Sequence, residues 1–499
     1  MAPTASTIHG PVMGTREGDV SVFRGIRYAA PPTGPRRWRA PQPPTPWREP
    51  FDASRFGPSA PQPSGGPLEG LVPGMGVGAT DEDCLTLNVW TPDVDRAARP
   101  VLVWFHGGAF SIGAGSLPTY DGASLAARED VVVVTCNYRV GALGFLVIDH
   151  ADAQPNCGLL DQLAVLEWVR DNIVAFGGDP GRVTVFGESA GAGSVLSLLS
   201  MPRTYGLFHG AIVQSGATDL VLSRDAAHMV AHAFAKEAGV DADDLASLRA
   251  LPVPALLAAQ ASAAGALLGR VGMMPFHPVA DGTVMPGRWL DAARAGVSRD
   301  VALVIGTTRD EMALFDRFDP GLATLDETGV VRRLGTTHPD PTALLAAYRE
   351  LEPAIQPPAL WSAITTDTAM WMPALAIAEA HAAHQPDTWM YRFDWPAANA
   401  ALGACHGIDI PFAFDTIDRD GWDAFVADAA GAHELARTMQ AAWAAFARTG
   451  EPATPRLGAW PRFEAARRST MVLGPRPHVE HDPRGQVRAQ WVRASTLPR

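Results

Sequence analysis

Five stretches of the chain are apolar or β-branched without alternation: Val101-Leu-Val-Trp-Phe105, Val131-Val-Val-Val-Thr-Cys-Asn137, Val183 to Phe186, Ala211-Ile-Val213 and Val301-Ala-Leu-Val-Ile305. A strand with one wet face alternates polar and apolar residues; a strand covered on both faces does not. Helical spacing lies between them. Leu163, Leu166, Val169, Ile173 and Phe176 share one face of a helix predicted over residues 159–176, and Gly193 to Ser200 reads as another. Strands alternating with helices predict an α/β protein with a large, mixed but mostly parallel central sheet and helices on both faces.

The remaining segments fit around that sheet. Residues 7–28 alternate short β-like runs with Gly10, Gly14 and Gly18, the pattern of a hairpin or meander. Residues 29–73 are rich in Pro and Gly and aperiodic, and a long irregular segment of this kind is functional or wraps the surface. Glu82 to Trp90 and Trp389 to Phe393 read as strands, Ala430 to Thr449 as a long amphipathic helix, and Met471 to Leu473 as a candidate sheet edge. Two alanine-rich helical blocks, at about 219–300 and 320–385, interrupt the strand pattern. No internal repeat or low-complexity linker separates them, so residues 1–499 read as one domain with insertions.

Composition excludes several function classes. Hydrophobic residues make up 47% and charged ones 19%, which suits a globular chain. The net charge of −13 argues against a nucleic-acid partner. Cys84, Cys136, Cys157 and Cys405 are scattered without a Cys-x-x-Cys pair, so neither a metal site nor a redox pair is expected. The N-terminus shows no basic start with an apolar segment, and no apolar run has the length of a membrane span. The expectation is a cytoplasmic protein with reduced thiols and no membrane partner. Whether it is a monomer or a dimer is open.

Chemistry concentrates where the strands end. The Val183 strand runs into Gly187-Glu-Ser-Ala-Gly191, of the form Gly-x-Ser-x-Gly, with a helix behind it. Strand, tight turn and helix force the serine into a strained conformation and leave its hydroxyl exposed at the top of the sheet. A serine hydroxyl needs a base to activate it, and the base needs a third group to orient it. His106-Gly-Gly-Ala-Phe110 follows the Val101 strand, where small residues let backbone N–H groups approach an oxyanion together with that of Ala190. Asp310 and Glu311 follow the Val301 strand, and composition leaves open which of them is the orienting acid. His406, in the Gly-flanked stretch Gly403 to Asp409, is the candidate base; His381 and His384 sit on an alanine-rich helix and read as structural. The order serine, acid, histidine is that of the α/β-hydrolases.

These motifs resemble the type B carboxylesterase and cholinesterase family of α/β-hydrolases, the bacterial para-nitrobenzyl esterases in particular. The likeness covers nearly the whole chain. It rests on Phe23 to Ala29, Glu82 to Asn88, His106 to Phe110, Asn137 to Arg139, Gly158 to Gln162, Phe176 to Pro180, Gly187 to Gly191, Asp310-Glu311 and His406-Gly407. The resemblance implies an α/β-hydrolase fold and a serine carboxylic-ester hydrolase working through an acyl-enzyme, with no cofactor and with an ester and water as its only substrates. It assigns Ser189 as nucleophile, His406 as base, Glu311 as acid, and the N–H groups of Gly108, Ala109 and Ala190 as the oxyanion hole. Glu188 and Ser215 match positions behind the histidine. Arg37 with Glu82, and Arg139 with Asp161, match buried ion pairs. Where relatives carry a disulfide to the cysteine of Glu-Asp-Cys, the partner position falls near Ala60, so Cys84 is expected free. Residues 60–80 contain no aromatic residue that could hold a quaternary ammonium, which disfavours choline esters.

Anchoring on Pro278 to Gly282 places Gly272 and Met274 on the acyl side, with Leu314 and Phe315 opposite. The expectation is a wide, adaptable pocket for small to medium apolar or aromatic esters. An amidase or carbamate hydrolase could use the same triad. A non-catalytic binding protein of this fold would have lost the serine, which is present here.

Overall fold

Alternate residues of each unbroken apolar run fall on opposite sides of one sheet. Val101, Val103 and Phe105 join the core on one face, while Leu102 and Trp104 join that on the other. The same split separates Val185 from Phe186, Val213 from Ile212, and Leu303 and Ile305 from Val304. Period-two side-chain direction with both faces covered is what a run lacking polar residues requires. On the second face Trp104 is fully buried, with the rings of Phe186, Tyr120 and Phe414 centred 4.8, 5.0 and 5.1 Å away.

The structure is a computed structural model that describes residues 2–66, 69–218, 220–272, 274–419 and 421–496, the last three by their backbone alone. Its strands are Thr4–Thr7 (β1), Gly10–Met13 (β2), Thr15–Glu17 (β3), Val20–Arg27 (β4), Phe51–Asp52 (β5), Thr86–Thr91 (β6), Arg99–Phe105 (β7), Val132–Cys136 (β8), Gly178–Glu188 (β9), Gly210–Gln214 (β10), Ala302–Thr308 (β11), Thr388–Phe393 (β12), Ser469–Leu473 (β13) and His478–His481 (β14). Among the described residues eleven form the central sheet, in the order β14-β13-β12-β11-β10-β9-β7-β8-β6-β4-β3. From β8 to β13 every neighbouring pair is parallel; β6, β4 and β3 at one end and β14 at the other add antiparallel pairs. β1, β2 and β5 make a small separate sheet. Among the described residues no helix is long and apolar enough to cross a membrane.

Three elements differ from the sequence reading. The strand expected from Glu82 begins at Thr86 and is buried throughout, because Glu82 turns away to hold Arg37. Met471 to Leu473 is not the edge: β14 pairs beyond it, and its half-exposed His-Val-Glu-His sequence carries no apolar signal. A C-terminal helix, Gly485–Thr496, follows where apolar periodicity is sparse.

Two buried arginines tie irregular segments to this frame. Arg37 donates to both oxygens of Glu82, at 2.7 and 2.6 Å, and to the carbonyls of Arg249 and Leu251. Arg139 donates to both oxygens of Asp161 at 2.7 and 2.6 Å, and neither side chain is more than 3% exposed. Removing one member strands the other charge in the interior, a loss of about 3–5 kcal/mol. Arg139→Met is therefore expected to lower the denaturant midpoint sharply, and Arg139→Met with Asp161→Leu to recover part of the loss; equal midpoints for wild type and single variant would contradict this account.

Candidate active site

The elbow stands at the C-terminal end of β9. Ser189 has φ +56° and ψ −124°, a sparsely populated conformation, and starts the helix Ala190–Ser200. Its N–H is held by the carbonyl of Gln214 at 2.9 Å, and its own carbonyl accepts from Gly193 at 2.9 Å. The motif's glycines are steric necessities. A Cβ on Gly187 would meet the carbonyl carbon of Gly191 at 2.5 Å, and one on Gly191 would collide with the carbonyl oxygen of Phe105. Helix and strands approach too closely here for any side chain.

The loop after β7 turns back over the elbow. Gly108 and Ala109 have φ +107° and +57°. Among the described residues no backbone acceptor takes the N–H of Gly108, Ala109 or Ala190. The loop is set from beneath by His106, whose ring stacks on Tyr138 at 4.3 Å and whose Nδ1 lies 2.8 Å from the carbonyl of Gly107; the Tyr138 hydroxyl donates to the His106 carbonyl. Burial lowers the His106 pKa to about 4, so the ring beneath this loop is neutral.

His406 and Glu311 come from different strand ends and meet. His406 Nδ1 lies 2.6 Å from Glu311 Oε2, and the other Glu311 oxygen accepts the Thr308 N–H at 2.9 Å. A carboxylate can only accept, so Nδ1 carries the hydrogen. Asp310, the neighbouring carboxylate, points elsewhere: it accepts from the backbone N–H of Ala404 and from Arg309, bracing the loop that carries His406. Geometry thus separates two residues that composition could not.

His406 Nε2 faces Glu188 Oε1 at 3.2 Å. The Ser189 hydroxyl has no hydrogen-bond partner among the described residues; Ser189 and His406 line one cavity. Burial disfavours the imidazolium, but the charges of Glu188 and Glu311 outweigh it and hold the His406 pKa above the ordinary histidine range. Burial raises the pKa of Glu188, against the pull of His406. Asp409, at the end of the Gly403–Asp409 stretch, lies behind this pair. It accepts from Gln214 at 2.9 Å, and burial lifts its pKa to about 6. Ser215 has φ +53° and a buried hydroxyl without a side-chain partner among the described residues.

The cavity above Ser189 measures about 450 Å³ and is overwhelmingly apolar. Met274, Leu314 and Phe315 line it as expected. Gly272 is not among the lining residues: it terminates the helix Val253–Val271 with φ +90°, a conformation that favours glycine. Leu71 and Val72 from the irregular segment, Met75 just beyond it, and Met312, Phe318 and Met370 also line the cavity. For Leu71 and Val72 the only sequence signal is an aperiodic stretch too long to be idle.

A strained serine at the C-terminal end of a parallel strand, opening into an apolar cavity shared with a carboxylate-held histidine, defines an α/β-hydrolase. Comparison with known proteins narrows this: the chain belongs to the carboxylesterase family, whose model matches residues 2–338 and 344–491. It is 40% identical over 487 residues to the para-nitrobenzyl esterase of Bacillus subtilis (strain 168), covering 97% of each chain. It is 37% identical over 488 residues to the phenmedipham hydrolase of Pseudarthrobacter oxydans, covering 95% of each. Among solved structures, a carboxylesterase of Geobacillus stearothermophilus superposes with a TM-score of 0.88 at 38% identity, over 98% of this chain and 99% of that one. The protein is a serine ester hydrolase of this family.

Proposed function

We propose that Ser189, His406 and Glu311 perform the hydrolysis, with the N–H groups of Gly108, Ala109 and Ala190 as the oxyanion hole. The 2.6 Å contact by which Glu311 holds His406, a wall of the cavity onto which Ser189 opens, carries this reading. Glu311 fixes the hydrogen on Nδ1 and leaves Nε2 as the base. Nε2 takes the Ser189 proton as the hydroxyl attacks the ester carbon. The developing oxyanion meets backbone donors that need no reorganisation. His406 then protonates the leaving alcohol and activates water against the acyl-enzyme. The histidine must pass from Glu188 to the serine, and such hydrogen bonds tighten when substrate fills the site.

Met274, Leu314 and Phe315 form the acyl side. Its apolar walls suit neutral esters of small to medium aliphatic or aromatic acids, and methionine walls adapt to several shapes. p-Nitrophenyl acetate, butyrate and benzoate should all turn over, and an organophosphate should label one serine per chain. A steep preference for acetyl would remove the wide pocket; no labelling would remove the mechanism. The two helical blocks are proposed as insertions into one domain: Leu256, Ala259 and Ala263 of the first, and Trp371 and Leu375 of the second, pack into the same core as the sheet. Four buried free thiols support a reducing, cytoplasmic setting for the chain.

Glu188 sets the working pH. His406 is a base only when neutral, so kcat/KM rises with pH through its pKa. Glu188→Gln removes one of the carboxylates that, with Glu311 and Asp409, hold that pKa up. The acid limb is expected to move down by about one pH unit. A limb that stays in place would show that Glu188 does not govern the proton on His406.

A further inference from the structure

One wall of the cavity is not an α-helix. The helix Pro357–Thr366 passes into a π-turn, Asp367–Trp371, before resuming as Met372–Ala382, and the Met372 N–H bonds five residues back to the Asp367 carbonyl. Ala369 and Met370 of this turn line the cavity. A π-turn displaces the i→i−4 ladder and is retained where something outside the helix holds it. Here it is held from two sides. On the cavity side the Thr218 hydroxyl, from the segment after β10, donates to the Ala369 carbonyl at 2.7 Å and lies 2.8 Å from the Met370 sulfur. On the far side Asp367 is fully buried. It accepts from the Tyr348 hydroxyl at 2.6 Å and pairs with Arg484 at 3.1 Å. The Arg484 guanidinium also lies over the Tyr348 ring, 5.5 Å from its centre. The residue before the turn, Thr366, accepts the Met312 N–H at 3.0 Å, which ties this wall to the segment carrying Leu314 and Phe315.

We propose that Arg484, at the start of the C-terminal helix and outside the cavity, is a specificity-positioning residue: through Asp367 it holds the π-turn that sets Met370 against the acyl group. This rests on the acyl-side reading given above. An unbranched methionine has several rotamers of similar energy, so a wall made of one is selective only where its backbone is anchored. The anchor pairs a fully buried carboxylate with an arginine whose side chain is 20% exposed, and it keeps a fixed geometry because Asp367 alone would be a stranded charge. Large acyl groups reach the turn; an acetyl group does not need it.

The test uses the full-length enzyme with two ester series, one varying the acyl group at constant p-nitrophenol and one varying the alcohol at constant acetate. For Arg484→Met the KM for p-nitrophenyl benzoate should rise five- to tenfold, with kcat/KM for p-nitrophenyl acetate within twofold of wild type. Arg484→Lys should restore most of the benzoyl preference. Thr218→Val, which leaves the C-terminal pair intact, should shift the benzoyl-to-acetyl ratio in the same direction and carries the test should Arg484→Met not fold. A ratio unmoved in the folded variants, or an equal loss on every ester, would overturn the proposal and leave Arg484 a structural residue. A shift confined to the alcohol series would overturn it by placing Met370 on the other side of the scissile bond. Wild-type enzyme that rejects benzoyl esters outright would instead overturn the acyl-side reading itself.

Discussion

Ser189→Ala is expected to lower kcat on p-nitrophenyl acetate by about 10⁶-fold, as removal of a triad nucleophile does elsewhere. The variant should fold: Ser189 is half-buried and its hydroxyl makes no structural hydrogen bond among the described residues. Alanine must adopt the same positive φ, a strain serine already bears. What remains should exceed the uncatalysed rate by about 10³–10⁴-fold, because the amide donors and the apolar cavity still bind and polarise the ester. Organophosphate labelling should vanish while the melting temperature stays close to wild type. Loss of less than tenfold would mean that another residue attacks the ester, and the elbow would be an architectural feature only.

The residues proposed to carry the reaction were legible because each needs a local pattern. A nucleophile held at a strained turn needs Gly-x-Ser-x-Gly, and the two glycines prove to be positions where a Cβ has no room. A loop donating backbone hydrogens needs small residues, and Gly108 and Ala109 adopt the positive φ that this demands. Strands buried on both faces need unbroken apolar runs, and β7, β8, β10 and β11 fell where those runs lie. The proposed acid was legible only as a pair. Asp310 and Glu311 are chemically alike and adjacent, and the backbone direction after β11 alone sends one to His406 and the other to the Ala404 N–H.

The cavity walls were not legible in this way. Leu71, Val72 and Met75 lie in a segment with no period, so no rule connects them to a serine more than a hundred residues away. Gly272 reads in sequence as an open space because glycine lacks a side chain, but that same lack serves a helix end. Met370 reaches the cavity through a π-turn, whose extra residue breaks the very spacing from which faces are read. Asp367 and Arg484 are separated by over a hundred residues, and neither sits in a motif; only the fold shows that one buried carboxylate waits for one arginine.

Glu311→Gln is expected to lower kcat by about 10⁴-fold while leaving the fold and KM nearly unchanged. The substitution keeps the shape, and the amide oxygen can still accept the Thr308 N–H that Glu311 Oε1 accepts at 2.9 Å. The NH₂ group then faces His406 Nδ1 across the 2.6 Å contact and can only donate. Nδ1 becomes the acceptor and the ring hydrogen moves to Nε2, the atom that must receive the serine proton. The base is therefore blocked in its neutral form, and the imidazolium loses the carboxylate that stabilised it. Asp310→Asn is the control. Asp310 faces the Ala404 N–H and not the ring, so its change should alter kcat by less than about tenfold, by loosening the loop. Measured side by side on one ester, a deep loss for Glu311→Gln with a shallow one for Asp310→Asn assigns the acid. The reverse order would mean that the carboxylate which orients His406 during turnover is the one that faces away from it here.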